Sequence, residues 1–126
     1  IKKEAFKGAL GTLLKKLGAF PIDRKNPSGA LIPLIHEINR SDSFYLVVCP
    51  EGTRKPIHRW KTGYHTIAEQ TGIPVFLSHA DYRKKEIGYG RPFPLTLDAR
   101  KDTEQIQQKY KEMKLVGLRP GGYVTE

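Results

Sequence analysis

The feature of this sequence that most constrains its fold is an apolar run that ends in a short polar loop. Residues 44–48 read Phe-Tyr-Leu-Val-Val, and an unbroken run of this kind is typical of a strand buried on both faces of a sheet. Cys49 and Pro50 end the run, and the polar loop that follows consists of Glu51, Gly52, Thr53 and Arg54. Ligands of open α/β sheets bind beyond the carboxyl ends of the strands, so this loop is a candidate binding site. The alternative is an ordinary solvated turn between a strand and a helix.

Residues 18–24 repeat this arrangement. They read Gly-Ala-Phe-Pro-Ile-Asp-Arg, a short apolar segment that ends in an acid and an arginine. We expect Arg24 and Arg54 to lie at the ends of two neighbouring strands. Each guanidinium group offers a planar set of donors that matches the oxygens of a phosphate or a carboxylate. Two such groups at one edge of a sheet predict a phosphate-binding site.

The spacing of the other apolar residues predicts helices between the strands. It is helical in four stretches, at residues 3–17, 26–38, 64–71 and 102–116. Residues 73–78 have the pattern of a further strand, and residues 86–90 are expected to return as an edge hairpin. Strand–helix–strand units form parallel sheets. We therefore predict an α/β fold, a mainly parallel sheet flanked by helices, in a single domain over residues 1–126.

Prolines and polar residues set the expected ends of two helices. Pro27 is a good first helical residue, and Pro33 is expected in or near the first turn, because a proline further inside would break the helix. Asp102 or Thr103 is expected to cap the last helix. Cys49, at the end of a buried strand, is expected to be a small core residue.

The first predicted helix carries a leucine stripe with lysines around it. Such a helix can lie on a membrane interface, and it can equally pack its leucines into a core. We favour core packing, with the lysines free to meet anionic headgroups. The stripe consists of Phe6, Leu10, Leu13, Leu14 and Leu17.

The charge balance favours anionic partners. Lys and Arg number 22 against 13 Asp and Glu, a formal net charge of +9. This excess suits phosphorylated metabolites, anionic lipid surfaces or nucleic acid, and by itself does not choose among them. The single cysteine excludes an intrachain disulfide. No run approaches the roughly 20 apolar residues that cross a bilayer, and no signal peptide is visible.

Three short motifs resemble conserved blocks of the glycerolipid acyltransferases. Residues 18–24 resemble the second block of that family, residues 50–54 (Pro-Glu-Gly-Thr-Arg) the third, and residues 72–75 (Gly-Ile-Pro-Val) the fourth. The flanks at residues 2–17 and 60–63 resemble bacterial 1-acylglycerol-3-phosphate acyltransferases. Because three motifs occur in the family's order, the resemblance is specific, and it implies a glycerolphosphate acyltransferase-like fold.

The sequence departs from the family at the first block. The family's chemistry uses a His followed five positions later by an Asp, upstream of the second block. The four histidines of this chain are followed at that spacing by Ser41, Gly63, Gln70 and Lys84. We therefore expect a truncated domain that lacks the amino-terminal catalytic block, has no catalytic residue of its own and is inactive alone.

The resemblance implies an activity and a set of substrate-binding residues. The reaction is transfer of a fatty acyl group from a thioester, carried by coenzyme A or acyl carrier protein, to lysophosphatidic acid, which gives phosphatidic acid for phospholipid biosynthesis. Arg24 and Arg54 would bind the acceptor phosphate, assisted by Lys61, and a solvated lysine is the alternative for Lys61. Within the loop, Glu51 would hydrogen-bond the acceptor or the arginines, Gly52 would let the backbone approach the ligand, and Thr53 is included as a substrate-binding residue.

The same resemblance implies no metal and no prosthetic group. It places the protein in the cytoplasm, peripheral to the inner face of the cell membrane, with an anionic membrane surface as a partner. Two other functions stay open. One is a catalytically inactive module that binds phospholipid or phosphate. The other is a nucleic-acid-binding domain, which is less favoured because neither zinc-finger spacing nor an RNA-recognition motif is present.

Overall fold

A computed structural model describes residues 6–19, 27–53 and 57–118. The fold of these residues is mixed α/β, with four helices and one two-stranded sheet. In chain order the elements are α1 (Gly8–Lys16), α2 (Pro27–Arg40), α3 (Gly63–Thr71), β1 (Val75–Asp81), β2 (Glu86–Phe93) and α4 (Ala99–Met113). The chain divides into two compact units, residues 1–45 and 46–126.

Helix α1 is short, and most of the leucines of the predicted stripe are exposed to solvent. Lys15 and Lys16 lie in its last turn, where positive charge is favourable next to the free carbonyl groups. Gly11 is buried, and a side chain there would collide with the backbone of Phe6. We favoured packing of the leucine stripe into a core. This prediction is wrong for Leu10, Leu13 and Leu17, which are all exposed.

Helix α2 begins at Pro27, as predicted, but it runs through Pro33. Pro33 was expected in or near the first turn, because a proline further inside would break the helix. It lies instead in the second turn of an unbroken helix. A proline inside a helix costs about 3 kcal/mol, because it removes one backbone hydrogen bond and crowds the preceding turn. Leu34 and Ile38, one turn apart on the same helical face, are buried. Their burial favours continuing the helix past the proline.

Residues 44–48 do not form the predicted buried strand. Tyr45 is 94% exposed and Val47 is 87% exposed. Cys49, expected in the core, is exposed as well. A strand needs a neighbour for its backbone donors and acceptors, and within the described residues β1 pairs with β2 alone.

Within the described residues, the sheet is an antiparallel hairpin. Strand β1 pairs with β2 in a register that sets Ser78 opposite Tyr89 and His79 opposite Gly88. The edge hairpin predicted near residues 86–90 is confirmed. A parallel pairing of residues 73–78 is not shown within the described residues, and the predicted strand at residues 18–24 lies mostly outside them. A four-residue turn brings the two strands together at a small cost in loop entropy, whereas a parallel partner must come from a distant segment.

The core of the second unit lies between α3, α4 and the end of β2. It contains Ile67, Ala68, Phe93 and Ile106. Gly72 ends α3 in the left-handed conformation, with φ of 70°. Asp98, rather than Asp102 or Thr103, caps α4, and its carboxylate accepts hydrogen bonds from the backbone N–H groups of Arg100 and Lys101. The predicted capping residues instead lie fully buried inside the helix.

Asp81 organises the turn between the two strands. Its Oδ1 accepts hydrogen bonds from the backbone N–H of Arg83 at 2.9 Å and from that of Lys84 at 3.1 Å. The Lys84 hydrogen bond is the largest cause that lowers the pKa of the Asp81 carboxyl below its usual value, and the bond from Arg83 and the two positive side chains add to it. Burial opposes this shift.

The lowered pKa makes the hairpin sensitive to acid. The stabilisation by the Asp81 carboxylate is complete above the ordinary carboxyl pKa of about 4 and is lost as the pH falls through the lower pKa of the folded state. We expect Asp81→Asn to reduce the acid dependence of unfolding below that pH, measured as the urea midpoint against pH. Equal acid dependence of unfolding in the parent chain and in Asp81→Asn would contradict this role of Asp81.

Candidate substrate-binding loop

The loop at residues 49–53 is a tight turn. The backbone N–H of Gly52 donates to the carbonyl of Cys49 at 3.0 Å, which leaves Pro50 and Glu51 as the two central residues. Proline is favoured at the first of these positions, because its φ is already set for the turn. Gly52 has φ of 64°, a conformation that side chains other than glycine rarely adopt. The Pro-Glu-Gly motif thus dictates the local shape of the loop.

Lys61 lies against this loop. Its backbone N–H donates to the carbonyl of Pro50 at 2.9 Å. A Cβ atom placed on Gly52 would lie 3.1 Å from Lys61 Nζ and 3.3 Å from Cε, so the lysine side chain occupies the space that a side chain at Gly52 would need. The structure therefore brings the Glu51–Gly52–Thr53 turn and the Lys61 ammonium group together, across the intervening residues of the sequence.

Helix α4 holds the segment that carries Lys61. The Gln107 side chain donates to the carbonyl of His58 at 2.9 Å. The Trp60 ring packs on Tyr110 with 5.6 Å between ring centroids, and the Tyr110 hydroxyl donates to the carbonyl of Ser78 at 2.6 Å. The segment that carries Lys61 is thus held by α4, which is itself hydrogen-bonded to β1. This contact gives Trp60 a packing role.

The predicted site residues differ in how far the structure describes them. Gly52, Thr53 and Lys61 are exposed, and Glu51 is half-buried. Arg24 and Arg54 lie outside the described residues. The predicted convergence of two arginines on one phosphate therefore stays a prediction.

The sequence did not predict a buried hydrogen-bond network that joins α3 and α4. Asp102 Oδ2 accepts from the backbone N–H of Thr96 at 2.7 Å, and Oδ1 accepts from the Thr96 hydroxyl at 2.9 Å. His65 Nε2 lies 3.2 Å from Asp102 Oδ2 and 2.9 Å from the Thr96 carbonyl. Both partners are acceptors, so Nε2 carries the proton and donates. His65 is 3% exposed and Asp102 is 0% exposed, and we interpret the pair as a packing element rather than as a base open to substrate.

Tyr64 extends this network to Thr103, the residue that follows Asp102 in α4. The Thr103 hydroxyl donates to the carbonyl of Ala99 at 2.7 Å, so the Tyr64 hydroxyl, 2.9 Å from Thr103 Oγ1, is the donor in their contact. Burial raises the pKa of the Tyr64 hydroxyl, the Thr103 hydrogen bond lowers it, and the nearby Asp102 charge raises it further, with a net increase. One signal in the sequence could have revealed the network. Asp102 stands one helical turn before Ile106 and so lies on the apolar face of α4.

A shallow cavity of about 370 Å³ opens beside the network. Its lining includes His65 and Thr96 and is otherwise mostly apolar, with Ile73, Val75 and Phe93 among its residues. Neither Gly52 nor Lys61 lines it. The cavity is therefore not part of the candidate substrate-binding loop.

Two features are absent from the described residues. No three His, Cys, Asp or Glu side chains there come together as a group that could hold a metal ion. None of the helices in the described ranges combines the length and the apolar character needed to span a membrane.

The fold and the loop define a small α/β domain with a basic side chain at a glycine-containing turn. A family model described as Acyltransferase matches residues 1–76, which is more than half of the chain and includes the loop and Lys61. The chain therefore belongs to the Acyltransferase family, and its general activity is that of an enzyme that moves an acyl group from a donor to an acceptor. No curated protein and no solved structure matches it significantly.

Replacing Asp102 should unfold the second unit more readily. Asp102→Asn keeps the shape but loses an acceptor for buried donors, so we expect a loss of about 3 kcal/mol in the free energy of unfolding, measured with urea. Glu104→Gln on the exposed face of the same helix is the matched control, since its pair with Arg100 is solvated and should contribute less than about 0.5 kcal/mol. Equal effects of the two substitutions would contradict the importance of the network.

The left-handed conformation of Gly52 yields a second stability prediction. Gly52→Ala should cost about 1 kcal/mol, because alanine is strained at positive φ. Gly63→Ala is the control. It lies at the start of α3, has open space around it and does not have positive φ, so alanine should be neutral or stabilising there. A Gly52 variant as stable as the Gly63 variant would show that the turn relaxes without strain.

Proposed function

We propose that this acyltransferase acts on a phosphorylated glycerolipid acceptor. It would move a fatty acyl group from an acyl thioester to lysophosphatidic acid and form phosphatidic acid in phospholipid biosynthesis. The observation that carries the proposal is the contact of Lys61 with Gly52. This contact sets an exposed ammonium group at the turn whose Pro-Glu-Gly-Thr-Arg sequence resembles the acceptor-binding motif of the glycerolipid acyltransferases.

The proposed binding chemistry is electrostatic. The acceptor phosphate carries negative charge and several acceptor oxygens, and Lys61 would meet it as a point charge. Arg24 and Arg54 would add planar, two-pronged hydrogen bonds. Glu51, half-buried in the turn, would orient the arginines or the acceptor glycerol, and Thr53 would lie beside the same anion. No metal or prosthetic group is part of this proposal, and coenzyme A or acyl carrier protein would carry the donor.

The acyl transfer itself needs a base to take the proton of the acceptor hydroxyl and donors to stabilise the oxyanion. The family's His and Asp pair does not occur at its spacing in these 126 residues. We therefore assign acceptor binding to this chain and no base within it. We place the activity at the inner face of the cell membrane, because the acceptor and the product are both bilayer lipids.

An acyltransferase assay of the complete gene product, with the 126-residue chain beside it, tests the proposal. Lysophosphatidic acid and an acyl thioester are the substrates, and phosphatidic acid is the measured product. Formation of phosphatidic acid by the complete gene product is the expected result. Binding of lysophosphatidic acid without activity in either would favour the alternative, a module that binds phospholipid without catalysis. Nucleic-acid binding that falls steeply with salt, without lipid activity, would favour the third function.

Substitution at the basic residues tests the phosphate role. In the complete gene product, Arg54→Lys and Lys61→Gln should each raise the KM for the acceptor by roughly tenfold and leave the KM for the donor nearly unchanged, because a charge-assisted hydrogen bond contributes about 1.5–3 kcal/mol. Lys101→Gln, an equal loss of charge on the exposed side of α4, is the control. Equal losses for donor and acceptor would refute the role in phosphate binding.

A further inference from the structure

The β1–β2 hairpin has one covered face and one bare face. On the covered side, Asp81 and Phe93 are buried and His79 is half-buried. The other side we call the hairpin face, and it consists of Phe76, Ser78, Ala80, Ile87 and Tyr89. The register places Ser78 opposite Tyr89 and Ala80 opposite Ile87, so these side chains share one side of the sheet. The hairpin face is thus a defined surface.

The hairpin face is apolar and exposed. Ile87 is 88% exposed and Tyr89 is 78% exposed. The Phe76 ring meets the Tyr89 ring edge to face, with 6.3 Å between centroids, so the two rings form one patch. Exposed apolar residues are ordinary when scattered, but a contiguous patch on a single sheet face marks an interaction surface.

A basic turn adjoins this patch. The turn that joins the two strands carries Arg83, Lys84 and Lys85, all exposed, beside an exposed Tyr82. Arg91 on β2 is also exposed, and Glu86 is the one acid within residues 82–91. Tyrosine is enriched where membrane meets water, and basic residues are attracted to anionic headgroups. The combination has the charge and the polarity of a surface that lies on an anionic bilayer.

We infer that the hairpin docks this protein on an anionic lipid bilayer, with the hairpin face at the headgroup boundary and the basic turn against the lipid phosphates. The choice of a bilayer rests in part on the proposed function, since the proposed acceptor resides in a bilayer. A second copy of the chain is a poorer occupant, because it would bring the basic turns of both copies together. A nucleic acid is also a poorer occupant, because the Phe76 and Tyr89 rings contact each other and leave fewer open faces for base stacking.

Vesicle binding of the full chain tests the inference without any substrate present. Sedimentation would compare vesicles of phosphatidylcholine with vesicles of equal parts phosphatidylcholine and phosphatidylglycerol. The double substitution Lys84→Gln with Lys85→Gln should weaken binding to the anionic vesicles about 30-fold. Each basic residue near such a surface raises the affinity about fivefold. Ile87→Ser with Tyr89→Ser should weaken it about tenfold through the lost apolar contact.

Matched variants separate the hairpin from general effects of charge and hydrophobicity. Lys101→Gln with Lys109→Gln removes the same charge from exposed positions of α4, and Leu97→Ser removes another exposed apolar side chain. Both should bind vesicles nearly as the parent chain does. Circular dichroism and urea midpoints establish that each variant is folded. The inference is overturned if the hairpin variants bind as their controls do, or if the hairpin substitutions abolish self-association or RNA binding instead.

The vesicle-binding experiment and the acyltransferase assay can succeed or fail independently of each other. If the complete gene product acylates no glycerolipid and the hairpin still governs vesicle binding, the docking inference stands alone. If acylation of a detergent-solubilised acceptor is found and the hairpin variants bind vesicles normally, the proposed function stands and the docking inference fails.

Discussion

The second unit depends on one buried carboxylate. Asp102 is fully enclosed, and its two oxygens accept hydrogen bonds from the Thr96 backbone, the Thr96 hydroxyl and the His65 ring. A buried charge is tolerated only when its oxygens are satisfied in this way. The same three contacts connect α3, the segment after β2 and α4. Because α4 in turn contacts His58 and Trp60, the position of Lys61 follows from this arrangement.

The shape of the candidate loop has a local cause, and the position of the basic residue beside it has a more distant one. The turn is local, since proline is favoured at its first central position and Gly52 adopts a left-handed conformation at its end. Its basic neighbour is distant, since Lys61 reaches it through a backbone hydrogen bond to Pro50 and a side chain that fills the space beside Gly52. The glycine therefore serves two purposes in the proposed site. It permits a left-handed residue, and it leaves room for a cation.

The two faces of the hairpin lie in different environments, one packed within the unit and one exposed to solvent. The covered face packs with the rest of the unit, and Tyr110 of α4 donates to the backbone of β1 at Ser78. The other face carries exposed aromatic and aliphatic side chains next to a basic turn. A stable unit with an uncovered apolar face is consistent with an enzyme whose proposed acceptor is held in a lipid layer.

The sequence by itself determined the local features of this protein. The start of α2 at Pro27, the antiparallel return near residues 86–90 and the family motifs were all readable from neighbouring residues, because periodicity, turn residues and proline act within a few positions. Only the tertiary structure decided that residues 44–48 stay outside the sheet, that β1 pairs antiparallel and that Asp102 is buried rather than capping α4. These outcomes depend on which distant segment supplies a hydrogen-bond partner. An apolar pattern predicts which side of a helix or strand avoids water, but it does not predict which segment of the chain covers that side.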